Sequence, residues 1–422
     1  MHTFPPDPST PALVTEPAGS ESGETASFGL PTTASPSPLH GGVDEDDPPP
    51  DTLSASDTLT IDASLRSALC GRELDLGDLD AIRLILRGNS VIDWNRAHFH
   101  SLDDVDRFLR LHLLDPTQEG DVRRLRFVHG EAVNYLEEHL GLHFPDDLRE
   151  PEDVRQLFIL ASQTGGFRRR QILACAILKL MHVINHLEAA ELHFQASLSE
   201  ARILDLAERR IVAAADRMRA DGFPLVAFYG SRKTRNSVIT KLLAKKENVA
   251  ATIFDKLRFR IVTESRSHIL PAISWLTREL FPFNYVLPGQ SHNNLVHLPD
   301  ALRRLGAADK LPAMQGELES VELSKDDNPF SGGSYRIVNF IVDFPVRIDN
   351  HDGNRYGALL GPTVFAMVEF QIIDRETARL NEIGENAHRL YKERQRAIVA
   401  RRLKKGGAAR KSRKAAQEGE ET

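Results

Sequence analysis

Apolar residues recur at helical spacing from about residue 61 to 222 and at strand spacing after it. Leu102, Val105, Phe108, Leu109 and Leu111/Leu113 make one apolar stripe, opened by Ser101-x-x-Asp104, a spacing at which each side chain can cap the other's backbone N–H. Ile172 to Leu187 predicts a second helix. A third is expected to open at the capping box Ser197-x-x-Glu200, run through Leu204, Ile211 and Ala215 to Met218, and stop at Asp221-Gly222. These helices are read as an all-α N-terminal domain over residues 61–204.

After Gly222 four runs have strand character: Pro224 to Tyr229, Ile253 to Thr263, Tyr335 to Val346 and Val364 to Ile373. Helical stretches lie between and beyond them, at Asn236 to Lys246, Ser267 to Leu280 and Thr377 to Leu403. Strands alternating with helices predict an α/β (α+β) domain over residues 205–400, a mixed sheet with helical cover.

Charge changes this picture at both ends. The net charge of -7 hides a segregation, because residues 1–60 hold ten Asp/Glu and no Lys or Arg, which leaves +3 for the rest. That first segment is also rich in Pro, Ser and Thr, so it cannot bury enough apolar surface to offset the entropy of ordering and is expected to be disordered. From Arg389 to Lys414 there are twelve Lys/Arg against Glu393, and residues 401–422 read as a basic tail suited to RNA or as a solvated helix end. Cys70 and Cys175 have no metal-ligand spacing, which fits a reducing cytoplasm. The N-terminal residues lack the charged and apolar regions of a signal peptide. Ile172 to Ile184, interrupted by Lys179 and His182, is too short to span a bilayer and reads as a buried helix, so no membrane partner is expected.

Several constellations carry candidate chemistry. Nine Lys/Arg lie between Ser231 and Arg260, beginning where a short strand passes through Gly230-Ser231 toward a helix near Asn236. Helix-terminal amides with flanking cations make a polyphosphate site, and the same charges also suit a basic nucleic-acid surface. In the last strand Phe365, Met367, Glu369, Gln371 and Ile373 share one face. Glu369 thus sits in an otherwise apolar strand, where an unpaired carboxylate is costly, so it is expected to be salt-bridged, to bind metal or to move protons. Glu385, His388 and Lys392 are spaced for one helix face. His182, His186 and His193 share helical spacing, but no further ligand is indicated and a structural role is expected.

Taken together these segments resemble the synthetase domain of the RelA/SpoT family, without its His-Asp hydrolase domain. The family's R-x-K-x-x-x-S-I-x-x-K is met at Lys233, Ser237 and Lys241, with Ser231 at the Arg position and Arg232 one place later. Its D-L-x-A-x-R is here D-K-L-R-F-R, keeping Asp255 and Arg260, and its E-I-Q-I-R-T is E-F-Q-I-I-D, keeping Glu369 and Gln371. Its E-x-G-x-x-A-H-x-x-Y-K is met at Glu382, Gly384, Ala387, His388, Tyr391 and Lys392. In the acceptor-base region Tyr335 takes the place of a stacking Tyr, and Asn339 stands where the family has His.

The resemblance implies a nucleotidyltransferase-like fold and transfer of the β,γ-diphosphate of ATP to the ribose 3′-hydroxyl of GDP or GTP, giving (p)ppGpp. By it Arg232, Lys233, Lys241 and Arg260 contact ATP, a loop letting Arg232 swing into the phosphate that the family's Arg would meet. Asp255 and Glu369 hold Mg2+ and act catalytically, and Tyr335, Gln371, His388 and Lys392 bind substrate. Two alternatives stay open: a toxin-type member that pyrophosphorylates tRNA 3′ ends, and a degenerate regulator that binds nucleotide or RNA without catalysis. A homo-oligomer is compatible with either.

Overall fold

The computed structural model describes residues 27–29, 73–88, 94, 97–163, 168–196, 198–244, 256–307, 334–348, 360–383 and 390–404. Among these residues six strands form one mixed sheet in the order β1-β2-β3-β6-β5-β4. They are β1 (Ser27–Gly29), β2 (Leu225–Arg232), β3 (Leu257–Thr263), β4 (His292–Asn293), β5 (Val338–Arg347) and β6 (Thr363–Asp374). β3 and β6 pair in parallel and the other neighbours are antiparallel. The α/β expectation therefore holds, as a mixed sheet with helices on both faces.

β3 and β6 alternate in step. Leu257, Phe259 and Ile261 stand opposite Val368, Phe370 and Ile372, all buried, while Arg258 and Arg260 stand opposite Glu369 and Gln371. One face is thus apolar and the other polar. Across the apolar face the rings of Phe228, Phe259, Phe370 and Phe340 follow one another over four strands, with centroids 5.3, 6.1 and 5.8 Å apart. Such cross-strand aromatic neighbours each add to sheet stability beyond the area they bury. Gly230 belongs to this face, and a Cβ there would lie 2.9 Å from Phe259 Cε1.

Among the described residues α1 (Leu76–Arg87), α7 (Glu200–Ala220) and α9 (Ile269–Glu279) pack on the apolar face, with Leu298 and Leu302 in the same core. α7 contributes Ile203, Ala207, Ile211, Ala214, Ala215 and Met218, a stripe at helical spacing. Its Arg210 donates to the carbonyls of Pro345 (2.7 Å) and Leu280 (2.8 Å) and lies 4.8 Å over the Phe344 ring. α1 is held by Asp78, which accepts from Ser274 Oγ (2.8 Å) and Arg278 Nη2 (2.7 Å) of α9. The packing therefore divides the chain differently from a boundary at residue 204: α1 and α7 both belong to the core of the sheet.

The second core is helical. It comprises α2 (Leu102–Leu111), α3 (Glu119–Leu140), the short α4 (Asp146–Arg149), α5 (Gln156–Ser162) and most of α6 (Arg168–Gln195). Trp94, Phe99, Phe108 and Phe158 meet edge-on at its centre. The Ser101–Asp104 capping box is present in both directions. α6 is long and apolar enough to cross a membrane by length and composition; here Leu173, Ile177, Leu178 and Met181 are packed inside the helical core, and Ile172, Val183, Leu187 and Phe194 are exposed.

This helical unit docks on the polar face of the sheet at its β5–β6 end. The His186 ring of α6 packs on Phe365 (4.4 Å) and its Nε2 lies 3.5 Å from Asp343 Oδ2. Asn284 Nδ2 sits 3.2 Å from both His112 Nε2 and His182 Nδ1, and Asn185 donates to the Tyr285 hydroxyl (3.0 Å). Arg347 of β5 reaches Asp121 of α3 with two parallel bonds of 3.0 Å. His182 and His186 thus lie in a packed seam, and among the described residues no group of three His, Cys, Asp or Glu is placed to hold a metal.

Three local expectations are corrected. α7 is capped by Ser199, which accepts from Arg202 N–H, rather than opening at Ser197, because Ser199 is the residue with extended backbone directly before the first turn. The helix expected over Thr377 to Leu403 is interrupted: α11 (Arg375–Asn381) stops at a turn over Glu382 and Ile383, and helix resumes in residues 390–404 (α12). The segment 1–60 is not wholly without structure, since Ser27–Gly29 adds as β1 to the edge of β2, where backbone pairing needs no apolar side chain. Among the described residues the remaining α-helices are α8 (Arg235–Ala244) and α10 (Leu298–Arg304).

Candidate active site

The polar face carries a connected network. Glu369, 4 % exposed, is centred in β6, so strand alternation and not a loop fixes where its side chain points. Arg258 Nε donates to Glu369 Oε2 (2.7 Å) across the parallel β3–β6 ladder. Asn339 Nδ2 on β5 and Gln371 Nε2 both donate to Oε1, at 2.7 and 2.9 Å. Gln371 in turn accepts from Arg260 Nε (3.1 Å), and Arg260 Nη2 donates to the Tyr335 hydroxyl (3.3 Å). Arg260 Nη1 also lies 3.6 Å from Glu382 Oε1 at the end of α11. The links join β3, β5 and β6 to one another, to the segment before β5 and to the end of α11, so the groups are held by the sheet and polarise one another.

α12 adds charge beside it. Lys392 is half-buried and its pKa is lowered, by burial first and then by the neighbouring guanidiniums of Arg396 and Arg258. Crowded like charges in a partly desolvated place disfavour the charged form, and an arriving anion reverses the effect. At its far end α12 reaches α8, where Arg402 donates to the Leu243 carbonyl (3.0 Å) and also to that of Ala244, a cation on a helix C-terminus. The face is open at its margins: Tyr229 and Met367 are 46 % and 39 % exposed.

Five of the residues expected from the sequence therefore come together here: Arg260, Tyr335, Glu369, Gln371 and Lys392. Arg232 does not join them. β2 continues through Arg232 without a loop, so alternation sends its side chain to the apolar face, where it bonds Glu208 and lies 2.6 Å from Asp205 of α7. Lys233 follows directly, its N–H extending the β2–β3 ladder to the Lys256 carbonyl (3.0 Å), and Lys241 sits half-buried in the last turn of α8. Asp255 and His388 lie outside the described residues, as do Gly384, Glu385 and Ala387. Asp374 caps α11, accepting from Thr377 N–H (3.1 Å).

Sequence reading assigned no role to Arg258 as an individual residue. The signal was present in two triplets, Arg258-Phe259-Arg260 and Glu369-Phe370-Gln371, whose polar positions match once the strands are placed side by side.

No protein-family model matches the sequence, and no curated protein matches it. Among solved structures the chain is similar to small alarmone synthetase 1 from Bacillus subtilis, at 13 % identity over 51 % of this chain and 93 % of that one, with a TM-score of 0.26. It is also similar to small alarmone synthetase 2 from Bacillus subtilis, at 15 % identity over 49 % of this chain and 97 % of that one, with a TM-score of 0.24.

Proposed function

We propose that this chain is a pyrophosphotransferase that moves the β,γ-diphosphate of ATP to the ribose 3′-hydroxyl of GDP or GTP, the reaction of (p)ppGpp synthesis. One observation carries the reading: residues distant in sequence, on β3, β6, α12 and the segment before β5, converge on one open, cation-lined face around a buried carboxylate. Arg258, Arg260 and Lys392 would meet the triphosphate charge, and positioning with charge stabilisation supplies most of the catalysis in such transfers. Tyr335, anchored through its hydroxyl, offers a ring for the acceptor base. In this reading Glu369 accepts the 3′-hydroxyl proton. Asp255, His388, Lys233 and Lys241 join this reading from the motifs alone.

A second reading is nucleotide binding without transfer. It is favoured by the engagement of Glu369 with three donors, which a general base would have to exchange for the substrate hydroxyl.

Incubation of the purified chain with radiolabelled ATP and GDP, GTP or tRNA separates these outcomes. Label appearing in a guanosine tetra- or pentaphosphate, and lost in Glu369→Gln, is expected. Label on the tRNA 3′ end alone would replace the acceptor, and ATP binding with no transferred label would leave the binding-only reading.

A further inference from the structure

α6 has two apolar faces, and the fold of one chain buries only one of them. Leu173, Ile177, Leu178, Met181 and Leu192 are buried, whereas Ile172, Val183, Leu187 and Phe194 are between 56 % and 83 % exposed. At 3.6 residues per turn the four exposed residues fall within about 60° of one another, on the side of the helix opposite the buried set. A helix that is apolar all round belongs in an interior, and a contiguous exposed apolar stripe marks an interaction surface. Crossing a bilayer would require α6 to withdraw Leu173, Ile177, Leu178 and Met181 from the helical core. The stripe also has a symmetry in its sequence. About Val183 as centre, Ile172 and Phe194 stand eleven positions to either side, Ala176 and Ala190 seven, and Lys179 and Leu187 four.

We propose that this face is the interface of a symmetric homodimer, α6 pairing antiparallel with α6 of a second copy across a two-fold axis at Val183. A two-fold interface brings the same patch of both copies together, so it must be self-complementary. This one packs Ile172 on Phe194 at each end and Ala176 on Ala190 between, where small side chains let the helices approach. Lys179 meets Leu187, its four-carbon stem covering apolar surface while the ammonium reaches water. The steps from Ile172 to Val183 and from Val183 to Phe194 are eleven residues each, close to three full turns. The stripe therefore hardly drifts, and two nearly straight helices can follow it for about 33 Å. Charge selects the direction. Arg168 and Arg169 are exposed in the first turn of α6, which has no acidic residue, and the dipole of their own helix disfavours them there. The other end carries the exposed Glu191 and, beside it, Glu188, which is paired with Arg124. In an antiparallel pair the basic end of each copy lies along the acidic, negative-dipole end of the other, whereas a parallel pair sets like ends together.

Sedimentation velocity of the full chain over about 1–100 μM, the range suited to a small interface, tests this. The mass is expected to rise from 47.1 kDa towards twice that value. Leu187→Glu and Val183→Glu should each raise the dissociation constant more than about tenfold, because symmetry puts two unpaired carboxylates into the interface. Both residues are exposed in the single chain, so its circular dichroism should be unchanged. A short bismaleimide reads the direction, with the parent's Cys70 and Cys175 as background. Val183→Cys should cross-link to its own copy, Phe194→Cys should not, and a mixture of Ile172→Cys with Phe194→Cys should. A parent that stays at 47.1 kDa throughout, a dimer that Leu187→Glu leaves intact, or cross-linking of Phe194→Cys to itself overturns the inference. So does a monomer that binds vesicles of phosphatidylcholine with phosphatidylglycerol and loses that binding in Leu187→Glu, which would assign the face to a lipid surface.

Discussion

Arg232 closes on Glu208 of α7, on the face of the sheet turned away from Arg258 and Arg260. The two sides of one strand pair thus put neighbouring arginines to different uses. Arg232→Ala is expected to leave ATP binding within about twofold of the parent and to lower stability by about 1–3 kcal/mol, because Glu208 loses its partner in a mostly buried place. Chemical denaturation and nucleotide binding measured on the same variant check both halves. A large loss of affinity without loss of stability would return Arg232 to the binding site.

Gly230→Ala should destabilise the fold by about 1–3 kcal/mol, the usual cost of forcing an atom into a packed core. The new Cβ meets a ring atom of Phe259 at 2.9 Å, and that ring is held between Phe228 and Phe370. The urea midpoint reports the change. The companion Gly230→Ala/Phe259→Leu should recover part of it, since leucine vacates the ring edge.

Tyr335 offers two separable contributions. Tyr335→Phe removes the hydroxyl that accepts from Arg260 and should weaken binding by about 0.5–1.5 kcal/mol, whichever nucleotide is used. Tyr335→Ala also removes the ring, and if a base stacks there it should cost a further 1–3 kcal/mol or about that, for guanosine nucleotides but not for pyrophosphate. Equal effects of the alanine variant on both ligands would restrict Tyr335 to holding Arg260.

Stability should fall on mild acidification. Burial lowers the pKa of His112 to about 4, of His182 to about 3 and of His186 to about 4, with their mutual repulsion adding to it at His112 and His182. The unfolded chain therefore takes up these protons first, so stability is lost as pH drops below the ordinary histidine value near 6.5, down to the folded values. Asp343, which faces His186, acts oppositely: burial raises it to about 6, so the folded state takes up its proton first as pH falls. Three sites against one leave a net of about two protons near pH 5, a slope of at most about 2–3 kcal/mol per pH unit. Denaturant midpoints between pH 7.5 and 5 measure it, and His186→Gln should reduce the slope by about one proton. A flat profile would mean that the seam between α6 and the sheet is hydrated.

What could be read from the chain alone was whatever depends on near neighbours in sequence. The α2 capping box, the end of α7 at Asp221, and the four long strands are local matters of periodicity and capping, and the structure has them within a few residues. The alternation that places Glu369 and Gln371 on one face of β6 is equally local, as is the apolar composition that lets the strand be buried. The rest depended on which strands lie together. Only the parallel pairing of β3 with β6 sets Arg258 against Glu369, 111 positions apart, and turns a lone carboxylate in an apolar strand into half of an ion pair. The same tertiary constraint sends Arg232 to α7, because a strand that runs on past Ser231 allows no swing. It also gives α1 to the sheet core, through Asp78 bonding Ser274 and Arg278 about 200 positions later. Periodicity states which face a side chain occupies; what stands opposite that face is decided by contacts between distant segments, whose choice follows from burying all the apolar faces at once.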